Sequence, residues 1–184
     1  MSKKPTIIDK TVVAQSRLFK IEELHLRFSN GEERRFERIC GRGCSSVMIL
    51  PLLDSETILL VREYSTGLND YVLGFPKGSV EKGEELLLTA ERELKEEAGY
   101  GSRNMSIIFC FSTSPGYLDS MMHIVLATDL YPEAICGDEP EPLEVIPWKL
   151  SRRNELLIHP EFHEARSVAA LFLLEHYPSI SDNR

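Results

Sequence analysis

Long apolar runs are missing from this chain. Nowhere does it hold the roughly 18–20 consecutive apolar residues of a membrane-spanning helix. Its polar start, Met1-Ser2-Lys3-Lys4-Pro5, leads into no apolar targeting segment, so a cytoplasmic protein with no membrane partner is expected. Cysteine is scarce. Cys40, Cys44, Cys110 and Cys136 are too few and too scattered for a disulfide framework, and reduced thiols are expected. Cys40 and Cys44 with His159 and His163 mimic the local spacings of a zinc site. The two pairs lie far apart in sequence, however, and Pro160 breaks the helix that would align the histidines. Excess positive charge is also absent. Against 29 Asp and Glu there are 21 Lys and Arg, a formal net charge of −8, which argues against nucleic acid or an anionic membrane as the main partner. Any phosphate site must be a local exception. Repeats and low-complexity tracts are missing too, and 184 residues suffice for one domain with a small appendage.

What is present reads first as strands. Residues 1–10 look like a frayed start. A strand is expected over 18–28, with Glu22-Glu23 interrupting the alternation as a bulge would. Asn30-Gly31 signals a tight hairpin turn, since both residues accept positive φ, and the returning strand covers 34–39. So polar a ribbon is marginal unless it packs on something else, for which a second subunit is a candidate. Gly41-Arg42-Gly43 reads as a linker. Nearly continuous apolar residues over 47–53, a turn at Asp54-Ser55 and a strand over 58–62 make the core. The glycine- and proline-rich stretch 67–78 is expected to be loop or irregular strand presenting backbone near a site. Further strands are expected over 105–112, 122–128 and 144–148. Two helices follow, one over 151–158 capped by Ser151 and one from Phe162 with Ala165, Val168, Ala169 and Phe172 facing inward. This order gives an α+β fold, helices around a mixed sheet, with a small amino-terminal antiparallel β-hairpin.

The stretch 78–100 organises the rest. Leu87, Ala90, Leu94 and Ala98 recur at helical spacing as a buried stripe. Glu93 lies one turn from both Glu96 and Glu97, so three carboxylates crowd one patch on another side of the helix. Oxygen-only ligands on a rigid element suit a hard divalent cation, Mg²⁺ or Mn²⁺. Ordinary pairs, Arg92 with Glu96 or Glu91 with Lys95, are the plainer explanation of such a face and contribute about 0.2–0.5 kcal/mol each. Downstream, Gly137-Asp138-Glu139-Pro140-Glu141-Pro142 is an acidic loop stiffened by proline, and Ser114-Pro115-Gly116-Tyr117 a turn.

The whole stretch fits G-x5-E-x7-R-E-U-x-E-E-x-G-U, with U aliphatic, at Gly78, Glu84, Arg92, Glu93, Leu94, Glu96, Glu97 and Gly99; only Tyr100 departs. On these residues the chain resembles the Nudix hydrolases. The resemblance implies an α/β/α sandwich over 44–184, with the arm 1–43 at a homodimer interface. It implies metal-dependent attack of water on phosphorus in ADP-containing compounds: ADP-ribose, diadenosine polyphosphates and NADH. It makes Glu93 and Glu97 first choices as metal-binding and catalytic residues, with Glu96, Glu141 and the carbonyl of Lys77 as further metal ligands. Glu139 becomes the candidate base, with Asp138 as another, and Glu84 with Arg92 a clamp between loop and helix. Gly78 and Gly99 become backbone devices. Arg38, Arg42, Arg62 and Tyr117 are candidate substrate contacts, Tyr117 by stacking on adenine. Two segments depart from ADP-ribose hydrolases. The usual Arg-Gln-Tyr-Arg reads Arg62-Glu63-Tyr64-Ser65, and the usual Glu-Leu-Pro-Ala-Gly reads Gly74-Phe75-Pro76-Lys77-Gly78, where Lys77 supplies a compensating charge. The signature of NADH-preferring members is absent. A non-catalytic sensor of ADP-ribose or NAD is the alternative from another class; such domains usually lose the glutamates kept here. An isoprenoid diphosphate isomerase would want a reactive cysteine beside a glutamate, and Cys110 falls in an expected strand.

Overall fold

The structure, a computed structural model, describes residues 3–137 and 139–176, and for 41–44 and 176 the backbone alone. It divides into two compact units, 1–45 with 111–121, and 46–110 with 122–184.

The smaller unit is built on β1 (Thr6–Gln15), β2 (Lys20–Arg27) and the start of β3 (Glu33–Asp54). These strands pair antiparallel in the order β1-β2-β3. Thus 1–10 is not a frayed start, because a strand begins at Thr6. Its signal was hidden by the doublets Ile7-Ile8 and Val12-Val13, which break period-two alternation. They fall where the β1–β2 register shifts, between Ile7 and Asp9 and between Val12 and Ala14. The irregularity expected at Glu22-Glu23 therefore lies opposite, on β1, while β2 runs in unbroken register along β3. Glu22 is buried and takes Lys10 at 2.9 Å, Lys20 at 2.8 Å and Arg38 at 3.1 Å. Three cations thus hold a carboxylate inside a strand and keep it ionised, far below its ordinary range. At the turn only Gly31 has positive φ, at 87°. Asn30 instead accepts the Glu32 N–H through its side chain at 3.1 Å, a turn-forming bond of another kind. The expected linker at 41–43 is continuous strand.

In the larger unit, β3 continues through Val47, Met48, Ile49 and Leu50, all fully buried, as a strand covered on both faces must be. β4 (Thr57–Ser65) pairs antiparallel with β5 (Asp70–Gly74) and with β9 (Glu144–Lys149), and β6 (Lys77–Ser79) pairs with β3. The glycine-rich stretch is therefore a turn at 67–69 and two short strands separated by the non-strand residues 75–76. β7 (Tyr100–Ser112) and β8 (Leu118–Pro132) complete a mixed sheet. Helix α1 (Leu86–Glu97) seats Ala90 and Leu94 on Val47, Ile49, Val61 and Val125. Leu87 does not belong to that stripe and is 39% exposed. Leu86 packs against the core instead, and Glu93 and Glu97 fall on the buried side of the helix.

The last segment is a 3-10 turn, Leu150–Arg152, then α2 (Arg153–Leu157) and α3 (Ala165–His176). Ser151 lies inside the turn and caps nothing. On α3 the buried residues are Ser167, Ala170, Leu171 and Leu174, while Ala169 and Phe172 face outward. The unbroken apolar run 168–174 leaves the face undecided until tertiary contacts choose it. Here the Phe75–Phe162 edge contact at 6.5 Å and Ser167 under Gly74 mark the choice. Among the described residues no helix is long and apolar enough to cross a membrane.

Candidate active site

A short strand and the carboxyl-terminal half of a helix build the site. Gly83 and Gly99, with φ of 90° and 72°, take the left-handed backbone conformation that begins and ends the segment around α1. Gly78 is required for another reason. A Cβ there would land inside the Glu93 carboxylate, so β6 approaches α1 at backbone contact only because residue 78 has no side chain. The Lys77 N–H then reaches Glu97 Oε2 at 3.1 Å.

Arg92 is the centre of the polar network. It donates to Glu84 through Nε (3.1 Å) and Nη2 (3.3 Å), to Glu93 Oε1 at 2.8 Å and to Glu96 Oε2 at 3.0 Å. These hydrogen bonds hold the Glu84 carboxyl below its usual range. The pairs of the plainer explanation form as well, Arg92 with Glu96 and Lys95 with Glu91 at 2.9 Å. They do not exhaust the face, because Glu93 and Glu97 are 9% and 6% exposed. Burial pushes the Glu97 carboxyl up to about 8, against the pull of the Lys77 ammonium and backbone N–H. A carboxylate so placed wants a cation. Burial also works against the Lys77 ammonium, but the charge of Glu63 prevails and raises its pKa.

Glu96 and Glu97 open into a cavity of 420 Å³ whose far wall carries Glu139 and Glu141. Asp138 lies outside the described residues. Gly137 packs against Glu96 so closely that a Cβ would stand 3.3 Å from Glu96 Cβ. Glu141 accepts the Tyr71 hydroxyl proton at 2.6 Å. The donors around this cavity are carboxylate oxygens, the set that a hard divalent cation takes, so the residues present fit such an ion. Among the described residues, no three acidic, His or Cys side chains are gathered as a completed metal cage. Arg92 instead draws Glu93 and Glu96 to itself and so neutralises the crowding.

The remaining candidates have partners of their own. Arg62 sits in a two-bond pair with Glu161, both at 2.8 Å, and stacks over Tyr71 at 4.3 Å. Arg38 and Tyr117 belong to the smaller unit. Arg38 bonds Glu22 and Asp119 (3.0 Å), and Tyr117 is 57% exposed with its carbonyl on Ile39 N–H. The Arg42 side chain lies outside the described residues. Cys110 is an exposed thiol on β7, its sulfur 4.0 Å from His123 Nε2. Sequence reasoning missed Glu63, Tyr71 and Glu161. Their partners lie 14, 70 and 99 residues away, beyond any local pattern.

Comparison with known proteins bears on the same residues. Residues 5–38 match the NudE-type Nudix hydrolase N-terminal domain, and residues 44–172 match the NUDIX domain. The chain is 46% identical over 174 residues to the ADP compounds hydrolase NudE of Escherichia coli, covering 95% of this chain and 93% of that one. It is 30% identical to the ADP-ribose pyrophosphatase of Bacillus subtilis, with 91% and 94% covered. A crystal structure of an ADP compounds hydrolase superposes with a TM-score of 0.86 at 46% identity, covering 95% of this chain and 94% of the other. With the arginine-clamped glutamates of α1 in place and two thirds of its length in the NUDIX domain, this chain belongs to the Nudix hydrolase family.

Proposed function

We propose that this protein hydrolyses the diphosphate linkage of ADP-containing compounds: ADP-ribose, diadenosine polyphosphates and NADH. Water oxygen bonds to phosphorus, the bridging P–O bond breaks, AMP leaves with the other phosphorylated fragment, and the water protons pass to a carboxylate and to solvent. The observation that carries this reading is the pair of buried carboxylates, Glu93 and Glu97, beside the Lys77–Gly78 backbone, with Glu97 opening into the cavity that Glu139 and Glu141 complete. The printed activities of the relatives point the same way.

Glu93, Glu96 and Glu97 would hold the divalent cation, Mg²⁺ in this reading, with Glu141 and the Lys77 carbonyl as further donors. A cation held there neutralises diphosphate oxygens and acidifies water. Glu139 faces the same cavity and takes the proton as base. Arg92 and Glu84 keep the carboxylates in register and touch no reacting atom. Arg38, Arg62 and Tyr117 contact substrate only by leaving their present partners or by turning from solvent. The smaller unit serves a homodimer interface. Its β1 is exposed along its whole length, with Ile7 56% and Val12 47% exposed, apolar surface that a second subunit would cover. Free thiols at Cys40, Cys110 and Cys136 accord with a cytoplasmic setting.

The test is to incubate the purified chain with Mg²⁺ and, separately, ADP-ribose, diadenosine triphosphate, NADH and a nucleoside triphosphate, and to resolve the products chromatographically. AMP from the first three is expected, and little turnover of the triphosphate. Tight binding of ADP-ribose with no product would replace this reading by the sensor.

A further inference from the structure

Glu97 receives its N–H bond from a strand of three residues, β6, too short to fix its own peptide planes. Two ties hold it. The backbone tie is to β3, where Met48 faces Lys77 in register and the Ile49 N–H donates to the Pro76 carbonyl at 2.8 Å. The second tie is a side chain. Lys77 Nζ donates to Glu63 Oε2 at 2.7 Å, and the two side chains are only 20% and 29% exposed. Glu63 is anchored in turn on β4, opposite Val72 of β5. Glu63 lines a separate cavity of 450 Å³ with Lys77, and the lining shares no residue with the cavity of Glu96, Glu97 and Glu139. Its carboxylate therefore makes its hydrogen bond to Lys77 from outside the carboxylate cavity, and it also bears on Glu97 as a like charge.

We propose that Glu63 is a positioning residue for Glu97, working through Lys77. By pinning the ammonium to β4, it fixes the rotation of the peptide whose N–H aims Glu97 Oε2. This rests on the functional reading above, in which Glu97 is catalytic. Both partners fall in the two segments that depart from the usual pattern of ADP-ribose hydrolases. The geometry explains why they depart together, since a lysine reaching into a half-buried site needs a carboxylate to meet it. A loosened carboxylate costs rate and cation affinity without touching the substrate.

The test compares wild type with Glu63→Gln, Lys77→Met, the double variant and Lys77→Arg, reading kcat and KM for ADP-ribose with Mg²⁺, Mn²⁺ affinity by calorimetry, and melting temperature. The expected result is an approximately tenfold fall in both kcat and Mn²⁺ affinity for each single variant, with KM within about twofold. The double variant should be no worse than either single, because both break one link, and Lys77→Arg should recover most of the loss. A raised KM at unchanged kcat for Lys77→Met would make Lys77 a direct substrate contact and overturn the proposal. So would multiplicative losses, or a lowered melting temperature with kcat and Mn²⁺ affinity unchanged. If the wild type turns over no ADP compound, the functional reading fails while the Mn²⁺ titrations still decide this one. Absence of Mn²⁺ binding by the wild type overturns both.

Discussion

Glu97 carries opposite demands. The fold buries it, so that its pKa rises from an ordinary 4.5 to about 8, yet the cation-holding role proposed for it requires the charged form. A raised folded pKa means that the stability it contributes is fully present below about pH 4.5 and is lost as pH climbs through 8. With chelator present, the melting temperature of the wild type should fall relative to Glu97→Gln between pH 5 and 8, and Mg²⁺ at pH 8 should close the gap. A difference between the two proteins that is flat with pH would mean that Glu97 is not held in the neutral form. Gly78 makes a second residue-scale case. Its Cβ position is filled by the Glu93 carboxylate, so Gly78→Ala must displace either β6 or Glu93. Turnover at least about 100-fold lower is expected, on the scale of a mis-set reacting group. Near-normal kcat in that variant would show that the close approach is dispensable.

At the scale of the element, α1 shows what helical periodicity can and cannot decide. Leu94 and Ala90 were legible as core, and both are fully buried. Leu87 was assigned to the same stripe by spacing alone, but tertiary packing rotates the stripe toward Leu86, because Glu93 and Glu97 must share the buried side near β6. Leu94→Ala should therefore destabilise by about 2–5 kcal/mol, and Leu87→Ala by no more than about 1 kcal/mol. Comparable losses in chemical denaturation would contradict the rotation. The box residues were readable because fixed spacing encodes a local geometry. Glu84 and Arg92, eight residues apart, meet as the motif implies. The Lys77–Glu63 and Arg62–Glu161 pairs were not readable, since chain topology alone brings them together. On β1 the failure was different. Two register shifts destroyed the alternation on which strand recognition depends.

At the scale of the whole molecule, the acidic balance that argued against nucleic acid also bears on the substrate. A chain of net charge −8 repels a diphosphate, and in the function proposed above the local exception is a cation held by the carboxylates. The core strands and the box helix were legible because apolar runs and fixed motifs need no partner to be seen. The amino-terminal unit was less so, its Glu22 buried among Lys10, Lys20 and Arg38 where sequence reads only scattered charge. Its exposed β1 makes the dimer testable by sedimentation equilibrium. Twice the 20.9 kDa chain mass is expected, and Val12→Asp should shift it to one. A wild type that stays monomeric at micromolar concentration would remove the second subunit from the account. The most direct test of the central claim is the initial rate of AMP release from ADP-ribose as Mg²⁺ is titrated, in wild type and in Glu97→Gln. Release that needs the cation in the wild type and falls at least about 100-fold in the variant, with ADP-ribose still bound, is the expected result. Equal rates in the two proteins, or AMP released unabated in chelator, would contradict it.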